Sequence, residues 1–187
     1  MLLQIITAST REGRAGHRVA AWFERIARAH ASFDIEAIDL AAVALPLFDE
    51  PAHPRLRQYK HDHTKAWSAS VARADAFVFV TPEYNYMPPP SLVNALDYLV
   101  QEWAYKPVGF VSYGGLSGGT RSVQMTKLLV TALKMMPMVE AVNLPFYANS
   151  MNKETGAFEP AATQEDAART MLTELARWAG ALATLRS

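Results

Sequence analysis

Short apolar runs alternating with helix-period stretches constrain this chain more than any other feature. Residues 2–7, 33–38, 76–80, 107–113 and 139–144 are such runs, and Ala76-Phe-Val-Phe-Val80 is the clearest of them. A strand with one wet face alternates apolar and polar residues. A strand covered on both faces reads as a nearly unbroken apolar run, the habit of parallel sheets. Between the runs the period changes. Val19, Trp22, Phe23 and Ile26 recur at helical spacing within 14–30, and Leu92, Ala95, Leu96 and Leu99 do so within 91–101. A further helix is expected over 120–134. A last one should start near Thr163, read as its N-cap, and turn Ala168, Met171, Leu172, Leu175, Ala179 and Leu182 inward. Strict alternation with right-handed crossovers leaves few topologies. The expected fold is an α/β three-layer, doubly wound sandwich with a five-stranded parallel sheet in the order 2-1-3-4-5, one domain over residues 1–187.

Composition narrows the chemistry. There is no cysteine, so disulfides, thiolate catalysis, iron–sulfur ligation and cysteine zinc sites are excluded, and redox chemistry must come from a bound cofactor. Eighteen basic residues balance eighteen acidic ones, which argues against a nucleic-acid partner, since such binders carry a basic excess. The start of the chain lacks the basic, apolar layout of a secretory signal, and no apolar run approaches the roughly 20 residues of a membrane helix. A cytoplasmic setting without membrane contact is expected. The segment 41–62 stands out, with Pro46, Pro51 and Pro54 but no glycine. A connection this long is either functional or hides a short helix, and Leu45, Leu47 and Phe48 would pack it down.

In doubly wound sheets ligands lie beyond the carboxyl ends of the strands, so a site belongs to the loops after strands one, three and four. The first loop places Ser9, Thr10, Arg11, Gly13, Arg14 and Gly16 directly before a helix. A helix N-terminus offers unpaired N–H groups and a positive dipole end, and arginine adds forked donors for phosphate oxygens. The Gly-Lys-Ser/Thr ending of a P-loop is missing, as is a Gly-x-Gly-x-x-Gly turn. A merely solvated arginine pair is the plainer reading, but the position after strand one favours phosphate. The second loop, Thr81-Pro-Glu-Tyr-Asn-Tyr-Met-Pro-Pro-Pro90, is stiffened by proline and presents amides and flat side chains suited to a planar heterocycle. By itself it also reads as a proline-rich turn with locally packed aromatics. The third, Ser112-Tyr-Gly-Gly-Leu-Ser-Gly-Gly-Thr120, holds four of the nine glycines, which permits close backbone approach to a ligand or simply a flexible turn.

Three fragments together carry a resemblance: Ser9-x-Arg11, Pro82-Glu-Tyr-Asn85 with Leu92-x-Asn94-Ala-Leu-Asp97 behind it, and Gly114-Gly-x-x-Gly-Gly-x-Arg121. Over about residues 2–145 the chain resembles the NADPH-dependent FMN reductase family, flavodoxin-like proteins that include azo-, quinone- and chromate-reducing enzymes. The resemblance implies FMN as cofactor, NADPH or NADH as co-substrate, and a small-molecule electron acceptor such as a flavin, quinone or azo compound. It implies that Ser9 and Arg11, with the backbone of Arg14, Ala15, Gly16 and His17, hold the FMN phosphate. Pro82, Glu83, Tyr84 and Asn85 would lie along the isoalloxazine ring, and Ser112, Gly114 and Gly115 would meet its other edge. A homodimer or homotetramer with residues 92–98 in the interface is also implied. Ala8 stands where the family often has Gly, Arg14 where it often has Ser, and Val93 where it often has Lys. Met87 and Pro90 replace small residues and bear on the cavity over the flavin, so the family's substrate preferences are not carried over.

Chemistry of this kind stacks nicotinamide on flavin, so no side-chain nucleophile or general base is required and none is named. Backbone N–H groups of the Tyr84–Asn85 turn would stabilise charge on the reduced ring. A flavin-binding electron carrier or redox sensor, lacking its own nicotinamide turnover, shares these loops and is the alternative. A receiver module needs an acidic cluster after strand one and an aspartate after strand three, where residues 7–10 and Thr81 offer neither. His61-x-His63, with Asp62 between and His53 upstream, invites a metal reading. A spacing of two suits a strand, whereas the segment looks like the run-in to a helix, so a surface role is expected. Trp22, Trp67 and Trp178 are assigned to packing, Trp103 and Tyr105 to an entrance or subunit contact, and Met135, Met136 and Met138 to the core.

Overall fold

Every residue of the strands Ala76–Pro82 and Pro107–Tyr113 is buried. The reason is visible in the order of elements in the computed structural model, which describes residues 1–186. Along the chain run β1 (Leu2–Thr7), α1 (Gly16–His30), β2 (Asp34–Asp39), α2 (Leu40–Val43), α3 (Asp62–Arg73), β3 (Ala76–Pro82), α4 (Pro90–Asp97), β4 (Pro107–Tyr113), α5 (Thr120–Ala132), β5 (Met136–Leu144) and α6 (Ala162–Ala183). The strands form one parallel sheet in the order β2-β1-β3-β4-β5, which places β3 and β4 inside it. This is the flavodoxin-like arrangement anticipated from the apolar runs.

Alternate strand residues feed two cores. On one face Ile5, Val78 and Val80 pack against Val19, Phe23 and Ile26 of α1 and Met171, Leu172 and Leu175 of α6. On the other, Ile6, Phe77, Phe79 and Phe110 meet Trp67 of α3, Leu92 and Leu96 of α4 and Val130 of α5. Trp103 belongs to this second core and not to an entrance. Its ring lies 4.9 Å from that of Phe77, and its Nε1 donates to the Leu96 carbonyl at 3.2 Å. The correction follows from α4 ending at Asp97, after which the chain folds under the sheet instead of continuing to 101. Trp178, expected to pack, is surface-exposed.

β5 starts at Met136, three residues earlier than expected. Pro137 reads as a strand breaker, but β5 is an edge strand and tolerates the missing donor. α6 begins at Ala162 with no side-chain cap, and the Thr163 hydroxyl bonds to Gln164 Oε1 instead. The segment 41–62 does contain short helices, α2 and a 3₁₀ turn at Pro54–Leu56. Asn94 of α4 pins it, donating to the Pro46 carbonyl at 2.7 Å and accepting from the Phe48 N–H at 2.9 Å. Leu45 packs on the core while Leu47 stands in solvent. His63 bonds Asp49 at 3.0 Å and stacks on His61. No described helix is long and apolar enough to cross a membrane.

Candidate functional site

β1 delivers the chain to the carboxyl rim, where the Ala8 N–H still bonds the Val80 carbonyl at 3.0 Å. The loop then turns on Gly13, φ +67°, with the Arg14 N–H donating to the Arg11 carbonyl. α1 starts at Gly16 without a side-chain cap and without an acidic residue in its first turn. Among the described residues, the backbone N–H groups of Arg11, Glu12, Gly13, Ala15, Gly16 and His17 have no acceptor. Six uncommitted donors at the positive end of a helix define an anion cradle.

Tyr113, the last residue of β4, forms the floor. A Cβ on Gly16 would lie 2.6 Å from the Tyr113 hydroxyl, so only glycine lets the helix start this close to the strand end. That hydroxyl is buried and has no hydrogen-bond partner. Burial, with Tyr84 and Tyr147 nearby, pushes its pKa up, which keeps it a donor. Arg14, expected to strengthen phosphate binding, is instead paired through its guanidinium with Asp39 at the end of β2.

The second loop is a two-residue hairpin. Tyr84 and Met87 exchange backbone hydrogen bonds of 2.9 and 3.0 Å across Asn85 and Tyr86, whose φ values are 52° and 72°. Two positive φ values define a type I′ turn; Asn suits it, whereas Tyr86 carries strain of about 1–2 kcal/mol. The Arg121 guanidinium, 3.9 Å from the Tyr86 ring centroid, braces it. Tyr84 faces the first loop, sharing a 2.6 Å hydrogen bond with Ser9 Oγ, and the Arg11 guanidinium lies 5.8 Å from its ring.

Glu83 ties this loop to the third. Its carboxylate accepts from Arg121 Nε at 2.7 Å, the Arg121 backbone N–H at 3.1 Å and the Ser117 hydroxyl at 2.9 Å. Burial raises its pKa, but Arg121 and Ser117 more than offset that and hold it below the usual glutamate range. The four glycines divide their work. Gly118 and Gly119, at φ 59° and 84°, shape the turn, and a Cβ on either would meet Pro145 or Ser112 at 2.9 Å. Gly114 and Gly115 face the cleft. The Ser112 hydroxyl is engaged by the Gly118 carbonyl and Asn143, so it supports the loop from behind.

The three loops enclose a cleft of about 250 Å³. Of the residues expected at the cofactor, Ser9, Arg11, Arg14, Ala15, Pro82, Glu83, Tyr84, Gly114 and Gly115 line it. Four other expected residues do not: Gly16 lies buried beneath, His17 and Asn85 are exposed outside, and Ser112 stands behind. Tyr113 and Tyr147 line it unanticipated, their rings 5.1 Å apart. The signal for Tyr113 was its place as the last residue before a site loop; Tyr147 follows β5, a loop outside the expected three.

An anion cradle and a flat-walled cleft at the carboxyl rim of a doubly wound sheet define a flavodoxin-like nucleotide-binding protein. The profile of the family described as NADPH-dependent FMN reductase matches residues 1–149, and the chain belongs to that family. It is 41% identical over 145 residues to an NAD(P)H-dependent FMN reductase of Schizosaccharomyces pombe, covering 75% of this chain and 72% of the relative. It is 34% identical over 143 residues to a quinone reductase of Escherichia coli, covering 73% of each. Among solved structures it resembles FerB, a flavoenzyme NAD(P)H:(acceptor) oxidoreductase from Paracoccus denitrificans. That match has a TM-score of 0.73 at 18% identity and covers 96% of this chain and 97% of the other. The chain is thus an oxidoreductase of a family that works with FMN and NAD(P)H.

Proposed function

We propose that the protein, acting as one domain over residues 1–187, moves electrons from NADPH or NADH through FMN to a small-molecule acceptor of the flavin, quinone or azo type. The single observation that carries this is the unfilled donor set, the free N–H groups at the start of α1 above a buried Tyr113 hydroxyl without a partner. Those donors fit a phosphate. The Ser9 hydroxyl, the Arg11 guanidinium and the Tyr113 hydroxyl would hold it with the free N–H groups of Gly13, Ala15, Gly16 and His17. Arg14, tied to Asp39, orients that loop. Pro82, Tyr84 and Gly114–Gly115 would wall the ring, with Glu83 locking the wall through Arg121. The Tyr84 N–H is engaged by Met87 and Asn85 stands outside the cleft, so the turn supports the wall instead of donating to the ring. Bound FMN supplies hydride acceptance from the nicotinamide and release of the electrons to the acceptor.

The test is direct. Purified protein should be yellow and release FMN on denaturation, and NADPH should bleach its flavin absorbance under argon, with a quinone restoring it. Protein that takes up FMN but is not bleached by either nicotinamide is a carrier and ends the enzymatic reading. We also propose a homodimer or homotetramer, supported by Leu47 and Phe48 standing exposed beside α4.

Tyr113→Phe separates binding from folding. Deleting a buried, unpartnered hydroxyl should leave the apoprotein as stable or raise its stability by about 1 kcal/mol. The same change should raise the FMN dissociation constant about 5–10-fold, because a donor to the phosphate is lost. Fluorescence titration and thermal melts of the apoprotein read the two effects; unchanged affinity removes Tyr113 from the cradle.

A further inference from the structure

A cavity of about 710 Å³ opens at the other end of the sheet, between the ends of α3 and α5, the 98–106 connection and the last described residues. β4 separates it from the flavin cleft by its seven-residue length, about 20 Å at ~3.3 Å per residue. We propose that this cavity is a second ligand site, for an organic anion with an aryl or short alkyl body bearing a phosphate or carboxylate.

Charge is the first argument. Among the described residues, Arg55, Arg57, Lys106, Lys134 and Arg186 line the cavity against one carboxylate, Glu102, in a chain whose formal net charge is zero. Part of this charge is engaged. Arg57 lies 3.3 Å from Glu102, Arg186 lies 2.9 Å from Asp75, and Lys106 donates to the Val71 and Ala72 carbonyls near the end of α3. Each of the two helix ends contributes roughly half a negative charge. Together the carboxylates and helix ends offset about three cations and leave about two positive charges facing a concave wall, which focuses potential on an anion. Arg55 and Lys134 carry that excess. Neither has a carboxylate partner among the described residues, and the Lys134 ammonium donates only to the Tyr105 hydroxyl at 3.2 Å. Burial and the charge of Arg186 draw Lys106 down to about 8, a repulsion that an anion in the cavity relieves.

Shape is the second argument. Arg57 and Lys134 take the left-handed backbone that closes the 3₁₀ turn and α5, at φ 53° and 59°, and Tyr105 takes it between them at φ 60°, so two chain reversals and the 98–106 connection meet at this rim. The Tyr105 N–H donates to the Lys134 carbonyl at 2.9 Å, so two of these residues brace each other at the mouth. Leu133, Leu185 and Val100 supply apolar wall for the body of a ligand. A bare inorganic ion would leave that wall unused.

The FMN-loaded protein should be titrated calorimetrically at low salt with phenyl phosphate, benzoate and inorganic phosphate. Phenyl phosphate or benzoate should bind one site at least 10-fold more tightly than inorganic phosphate, and whichever of the two binds better names the anionic group. The double substitution Arg55→Gln with Lys134→Met should weaken that binding at least 10-fold. In the wild type, NMR amide shifts should concentrate at residues 104–106 and 133–134. Three results overturn the proposal: unchanged affinity in the double variant, inorganic phosphate binding as tightly as the aryl anions, or shifts confined to residues 11–17 with FMN displaced.

Discussion

Arg11→Ala is expected to raise the FMN dissociation constant about 30-fold while leaving the fold intact. The side chain is exposed on the first loop, and its guanidinium makes one intramolecular contact among the described residues, 5.8 Å from the Tyr84 ring. Substitutions at such positions usually change stability by less than about 0.5 kcal/mol. Against a phosphate the same group is a forked, permanently charged donor, and hydrogen bonds to charged groups contribute about 1.5–3 kcal/mol each. Two kcal/mol is roughly a factor of 30 in affinity. Arg11→Lys should recover only part, because charge survives while the fork is lost. Flavin fluorescence titration of the apoprotein measures all three. Wild-type affinity in the alanine variant would move the phosphate away from the first loop. Arg14 makes the contrast: Arg14→Ala frees Asp39 near the same rim, so its effect mixes a lost tether with a new negative charge.

Interior strands were legible because burial on both faces leaves few polar positions; β4 matched its apolar run over all of 107–113 despite the buried Ser112. Elements at the margins were not. β5 hid its first residues behind Pro137, harmless at a sheet edge, and the stop of α4 at Asp97 could not be read because Tyr98, Leu99 and Trp103 continue the apolar content into the turn. The site divides in the same way. Local chemistry before a helix announced the first loop, and Pro-Glu-Tyr-Asn announced the second. What escaped were contacts between residues far apart in the chain. Arg14 finds Asp39 across 25 positions and Arg121 finds Glu83 across 38, and nothing local distinguishes either arginine from a solvated one. Four clustered glycines read either as close approach to a ligand or as a flexible turn. Only the approach of Gly118 to Pro145 and of Gly119 to Ser112 shows that two of them serve the turn itself. Tyr113 looked like any aromatic ending a buried strand until its hydroxyl proved to lack a partner.

Glu83→Ala should be the most destabilising single change on the rim, by about 2–3 kcal/mol at neutral pH. Its side chain is 7% exposed and takes donors from Arg121 and Ser117, and removing one partner of a fully buried pair costs about 3–5 kcal/mol. Arg121 is 48% exposed and rehydrates, which sets the lower figure. The loss reaches beyond the pair, since Arg121 also braces the strained Tyr86 turn that closes the second loop. Acid should undo the wild type by the same route. The folded pKa of Glu83 lies below its ordinary value of 4.5, so the stabilisation is complete above about that pH and disappears as pH falls through the folded value. The stability gap between wild type and Glu83→Ala, taken from urea midpoints of the apoprotein, should therefore be widest near pH 7 and narrow steadily below pH ~4.5. Glu83→Gln, which keeps the shape without the charge, should fall between them at pH 7. A gap that stays constant into acid would mean that packing of the side chain, and not its charge, joins the second loop to the third.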